Sequence, residues 1–169
     1  MLDVEHFRPV HREGSGSVRA LLPVGFHRAD LSQVKRLCVD YFPRSVSRPR
    51  LMETLAGIVG LMNRAGFPAS LWIDGDFVTE TENPPSFDAT LVLTQTVLGR
   101  LNKAQSDLFH WFRTTSLSEA YRCNNYTVVI DGDRRDGEIM HRYWVRQFGF
   151  DRAESGCGII EILIPSLHP

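Results

Sequence analysis

Three cysteines in a chain of 169 residues are too few and too scattered to suggest a disulfide framework. Cys38, Cys123 and Cys157 form no Cys-x-x-Cys pair and show no Cys/His ligand spacing, so zinc is not expected and the thiols read as buried and inert. The chain also lacks a run of about 18 apolar residues and the charged-then-apolar pattern of a secretory leader, so neither a membrane span nor export is expected. A reduced, cytoplasmic protein follows from these absences. Basic residues are in no excess: 19 Lys and Arg stand against 20 Asp and Glu, a formal net charge of -1, which argues against strong non-specific binding to DNA. No Gly-x-x-x-x-Gly-Lys loop, Gly-x-Gly-x-x-Gly fingerprint or Gly-x-Ser-x-Gly elbow occurs. Internal repeats are missing, and Gly14-Ser15-Gly16-Ser17 is the only low-complexity patch.

What is present is the composition of a folded domain, 43% hydrophobic and 23% charged, in a length that buries one core. Residues 1–20 are polar and read as a flexible arm, leaving 21–169 as the domain. Leu21 to His27 is punctuated by Pro23 and Gly25 as an extended segment is, with His27 either facing a pocket or, more plainly, anchoring its loop. Asp30 caps a short helix carrying Leu31, Val34, Leu37, Cys38 and Tyr41, which Pro43 stops. A clearer helix has Pro49 in its first turn, a stripe of Leu51, Met52, Leu55, Ile58, Val59 and Met62, and Gly66 at its end. Arg44, Arg48 and Arg50 cluster at its entrance. Guanidinium forks pair with phosphate oxygens, which makes Arg48 a ligand-binding candidate against the plainer reading of a solvated surface.

Ser70 to Ile73 reads as a central strand buried on both faces, and Phe87 to Leu93 as its partner. Leu98 to Phe112 has helical spacing, and Tyr126 to Ile130 is β-branched and ends at the turn Asp131-Gly132-Asp133. A helix from Gly137 to Phe148 and a last strand from Ile159 to Ile164 complete an α/β domain, a mixed central sheet flanked by helices.

The functional signal lies in Leu71-Trp72-Ile73-Asp74-Gly75-Asp76-Phe77-Val78-Thr79 and Asp88-Ala89-Thr90. A strand ending in a Gly turn, a loop, then an acid opening the next strand resembles the polymerase-beta-type nucleotidyltransferases. Leu22-Pro23-Val24-Gly25-Phe26-His27, Asp74-Gly75-Asp76-Phe77-Val78-Thr79, Phe148-Gly149-Phe150-Asp151-Arg152 and Gly158-Ile159 are similar, in order, to blocks of a small bacterial nucleotidyltransferase-like family. The resemblance implies a minimal nucleotidyltransferase fold, magnesium and a nucleoside triphosphate if the site is active, and a toxin–antitoxin or defence setting with a protein, nucleotide or RNA partner.

That chemistry is an in-line displacement in which carboxylates hold two magnesium ions about 4 Å apart. Asp-x-Asp serves it because alternate strand residues share a face. Here Gly75 and Asp88 match the pattern, Thr90 stands at the second acid, and Asp76 stands where a Ser or Gly normally faces the phosphates. Two readings follow. In one the site is degenerate and binds a partner or ligand without transfer. In the other Asp76 and Asp88 form a rearranged catalytic acidic pair, with Asp131 or Asp74 assisting the metal and with Gly75 and Thr79 on the ligand. Glu161 is a further candidate for the third acid, and hydrogen bonding by Asp76 within its own turn is the plainer alternative.

Overall fold

The computed structural model describes residues 18–130 and 158–164. The helix expected over 137–148, Asp131, and residues 1–17 of the arm lie outside the described residues. Alternating strands and helices wrap a five-stranded sheet. Its strands are β1 (Gly25–Arg28), β2 (Ala69–Asp74), β3 (Phe87–Thr94), β4 (Cys123–Ile130) and β5 (Gly158–Ile164), in the spatial order β1-β5-β2-β3-β4. The sheet is mixed: β2 runs antiparallel to β3 and β5, while β1 is parallel to β5 and β3 to β4. The α/β class read from the sequence is therefore the architecture of the chain.

Period-two alternation sorts the sheet into two faces. Leu71 and Ile73 of β2, Phe87, Ala89 and Leu91 of β3, and Ile160 and Ile162 of β5 enter the main core. There they meet Leu51, Leu55, Ile58 and Met62 of α2 (Arg48–Arg64) and Phe109 and Phe112 of α4 (Lys103–Thr114). Each of these side chains larger than alanine contributes about 1.5–3 kcal/mol when fully buried. The opposite face carries a smaller cluster of Trp72, Val92, Val128 and Ile159, with Phe26 packed against Trp72 at 4.6 Å between ring centroids. The sheet is thus buried on both sides, and its acidic end sits on the second face.

Local signals set the helix boundaries. In α1 (Leu31–Lys35) the Asp30 carboxylate accepts from the Gln33 N–H at 2.9 Å while the Gln33 side chain accepts from the Asp30 N–H at 3.0 Å, a reciprocal cap. A wider π-type turn continues it over Arg36–Asp40, burying Leu37 and Cys38 but leaving Tyr41 exposed. Asn102 and Gln105 repeat the reciprocal cap on α4. The segment from Leu98 that reads as one helix is two: α3 (Gln95–Leu98) ends at Gly99, and α4 restarts at the Asn102 cap. A short helix, α5 (Ser118–Tyr121), then leads into β4, which begins three residues before the expected Tyr126.

Two of the sequence blocks meet in space. Gly25 pairs with Gly158 and His27 with Ile160 along β1 and β5. A Cβ on Gly158 would lie 2.4 Å from the Pro23 carbonyl oxygen and 2.6 Å from the Leu22 Cβ, so only glycine fits. The His27 ring is 2.8 Å from that same Pro23 oxygen, which makes it a loop anchor rather than a pocket residue.

Candidate functional site

The site is built by the β2–β3 pair. Asp74 at the end of β2 stands directly opposite Asp88 near the start of β3. Opposed residues of an antiparallel pair hold their Cβ atoms about 4.5–5.5 Å apart, so the two carboxylates leave the sheet side by side on one face. Gly75 then turns the chain with φ 82° and ψ −166°, a region open only to glycine. A Cβ there would lie 3.3 Å from both Cγ and Oδ2 of Asp88, so the bend lets backbone lie against the acid. The following 3-10 turn, Asp76–Val78, is pinned by burial of Phe77 and Val78 and by a hydrogen bond from Val78 N–H to the Gly75 carbonyl at 3.1 Å.

The two acids differ in environment. Burial, opposed by a hydrogen bond from the Gly75 N–H and helped by the neighbouring Asp88 charge, pushes the Asp74 carboxyl up to about 6. Asp88 is half-buried and accepts a hydrogen bond on Oδ1 from the Asn124 side-chain amide of β4 at 2.7 Å, Asn124 being its register partner on that side. Thr90, two residues on and on the same face, is buried in register with Trp72 and Tyr126. The positions around Asp88 are therefore one acid, one amide and one hydroxyl. Beyond Asn124 a polar cleft continues between the end of α4 and β4, lined by Arg113, Thr115, Ser116 and Tyr126.

A family model matches residues 17–163, most of the chain, and its description is a family of unknown function, DUF6932. The chain belongs to DUF6932. No curated protein and no solved structure gives a match to it.

In this DUF6932 member several sequence candidates are placed elsewhere than expected. Asp76 does not oppose Asp88: the register gives that place to Asp74, and Asp76 is exposed on the 3-10 turn, where its charge acts on Arg48. Arg48 is no phosphate ligand. It is fully buried, and all five of its N–H donors are used: Nε on the Thr81 carbonyl, Nη1 on those of Cys38 and Phe77, Nη2 on those of Thr79 and Thr81, at 2.6–3.2 Å. Its guanidinium also lies 3.6 Å over the Phe42 ring. Thr79 is turned inward as well, its hydroxyl donating to the Asp76 carbonyl at 2.8 Å, with the Thr81 hydroxyl at 2.9 Å. Both residues fix the loop that carries Gly75 instead of lining a ligand space. Glu161 is paired with Arg28 at 2.9 Å and accepts from the Trp72 indole at 3.4 Å, which occupies it away from the acid pair. Asp131 lies outside the described residues.

Among the described residues no three His, Cys, Asp or Glu side chains gather as a metal-binding group. Asp74 and Asp88 are two carboxylates side by side, the number of protein carboxylates that a magnesium ion, which keeps several waters, takes at most. Cys38 and Cys123 are buried thiols, each pushed up to about 12 by burial, and neither is a nucleophile. Asn124 is the residue that sequence reading missed. Its only signal was position, the polar Asn124-Asn125 pair at the mouth of a strand.

Proposed function

We propose that this protein is a nucleotidyltransferase-like binding protein with a degenerate site. The Gly75 bend and the Asp74–Asp88 pair take one divalent cation and, through it, the phosphates of a nucleotide or an RNA end, without nucleotidyl transfer. The setting that fits such a protein is a toxin–antitoxin or defence pair with a partner protein. One observation supports the reading: the glycine bend lies against Asp88 with Asp74 opposite it, while Thr90 and Asn124 put neutral groups around Asp88. Transfer by two metals needs acids enough to hold both ions, and a hydroxyl or an amide is a poor magnesium ligand beside a carboxylate. Bound there, magnesium would neutralise the two carboxylates and bridge to phosphate oxygens.

An active transferase with a rearranged acid pair is the second reading. It draws on Asp74, which stands opposite Asp88 and whose carboxyl is held above its ordinary range by burial and, to a lesser degree, by the Asp88 charge; a divalent ion between the two would favour their ionised forms. A thermal-shift scan with magnesium, manganese and each nucleoside triphosphate, run beside an assay for label transfer from an α-labelled triphosphate, separates the two. The expected result is metal-dependent stabilisation that disappears in Asp88→Asn, with no labelled product. Labelled product would replace this reading by the second one. Absence of any metal or nucleotide response would remove both.

A further inference from the structure

The outer face of α2, on the far side of the molecule's main core, is unusual for a helix that the fold otherwise uses as a core element. Gly57 stands in mid-helix with nothing within 4 Å of the Cβ it lacks. A mid-helix glycine costs about 1 kcal/mol against alanine, and among the described residues no neighbour requires one here. Gly60 follows one turn on, and the Arg64 guanidinium folds back to within 3.3 Å of its missing Cβ. Beside this face lies a cleft of about 440 Å³ between α2 and the α4–α5 region, walled by Trp111, Leu117 and Tyr121 and floored by Gly57 and Ile58. Leu61 and Tyr121 at its rim are 40% and 52% exposed, large apolar side chains left facing solvent.

The charges on this face settle what fits it. Glu53 and Arg64 are exposed, three turns of α2 apart, roughly 16 Å along the axis. Among the described residues neither has a hydrogen bond or an ion pair. Glu53, Gly57, Gly60 and Arg64 follow one another at spacings of four, three and four, which lines them up on a single seam. The Glu53–Arg64 pair and the Gly57–Gly60 pair are both centred on the same point of the helix, between Ile58 and Val59. A seam of this kind is its own complement. Laid antiparallel on a second α2 about a two-fold axis through that point, Glu53 of each copy meets Arg64 of the other, and the glycines face one another and allow close approach.

We propose that α2 is a homodimer interface in which two copies pack their outer faces antiparallel, joined by two Glu53–Arg64 ion pairs across a glycine contact. Leu61 and Tyr121 at the rim of each copy are buried in the same step. A contact of three helical turns and a few rim side chains falls in the small, transient interface class, so the dimer forms at micromolar rather than nanomolar concentration. This interface is independent of the acid pair, and its failure leaves the reading of that site untouched.

Sedimentation-velocity ultracentrifugation of the full chain from about 1 to 500 µM, at low and high salt, tests the proposal. The expected result is a concentration-dependent monomer–dimer equilibrium weakened by salt. Glu53→Arg and Arg64→Glu each place like charges opposite one another and shift the midpoint to at least tenfold higher concentration. The double swap, Glu53→Arg with Arg64→Glu, restores it. Circular dichroism stays unchanged in all three, because among the described residues neither side chain makes a hydrogen bond or an ion pair. Gly57→Leu abolishes the dimer without loss of helicity. A chain that sediments as a monomer up to 500 µM, or a dimer indifferent to the single swaps or not recovered by the double one, overturns the proposal.

Discussion

Replacing Arg48 by methionine tests how the loop bearing Gly75 is held. Arg48 ties three segments together: the end of the turn after α1 through the Cys38 carbonyl, the 3-10 turn through Phe77, and the chain beyond it through Thr79 and Thr81. Removing the guanidinium leaves up to four carbonyl oxygens without their donor, and each buried acceptor left unpaired costs about 1–3 kcal/mol. Part of that loss is offset. Burial depresses the Arg48 pKa to about 10, so the cation is still protonated at neutral pH but sits in surroundings that do not fully replace water. Methionine also keeps much of the contact with Phe42 and Phe77. The net destabilisation expected is about 3–5 kcal/mol, the usual size for deleting one member of a buried charged network. In a chain of this length that lowers the melting temperature by roughly 10 °C. Arg48→Lys keeps the charge, offers three donors on a flexible stem, and recovers less than half of the loss. Urea denaturation followed by circular dichroism measures both variants. A methionine variant within about 1 kcal/mol of the parent would show that the carbonyls find other partners and that Arg48 is not the staple of this loop.

Three further outcomes are expected. Asp74→Asn raises stability at pH 7 by about 1–3 kcal/mol, because the folded chain holds this proton more tightly than the unfolded one. The stability contributed by the Asp74 proton is complete below the ordinary value of 3.8 and is lost as pH rises through about 6, so the variant's advantage vanishes below about pH 4 in a pH series of melts. An advantage that persists at pH 3 would mean that the effect is not electrostatic. Gly75→Ala must force an L-residue into φ 82° and press a methyl group against the Asp88 carboxylate, and it costs about 1–3 kcal/mol. In the same variant the magnesium-dependent shift is lost, and retention of a full shift would detach the bend from the ion. Gly158→Ala meets the Pro23 carbonyl oxygen at 2.4 Å, so the Leu22–Pro23 segment leading into β1 must move off β5, at a cost in stability of about 3 kcal/mol. A neutral result there would show that the Leu22–Pro23 segment yields freely.

Family membership and geometry enter the functional reading at different strengths. Belonging to DUF6932 says which chains share this architecture, since the match runs from residue 17 to 163. It brings no chemistry with it. The chemistry comes from one corner of the sheet, where Asp74, Gly75 and Asp88 converge, and function is argued from such a site rather than from the fold around it.

The amino-acid order by itself determined the two central strands and the two helices that precede them. The continuous apolar run 70–73 and its partner 87–93 marked the two central strands, Asp30 marked the start of α1, and the apolar stripe of α2 with Gly66 beyond it marked that helix. These are short-range effects, carried by backbone sterics and by side chains within a few positions of the groups they satisfy. The Gly75–Asp88 contact was legible too, since a bend that needs a positive φ and an acid opening the next strand are both written locally. Which acid faces Asp88 was decided only by the tertiary structure. Strand register is a non-local quantity, and a shift of two residues exchanges Asp76 for Asp74 without changing a single local preference. Arg48 went the same way: a solvated arginine and a buried one look alike in sequence, and only the carbonyls of Cys38, Phe77, Thr79 and Thr81, brought together from separate segments, make burial of its charge affordable. Asn124 acquired its place beside Asp88 from the parallel pairing of β3 with β4, a contact spanning 36 positions that nothing in either segment announces.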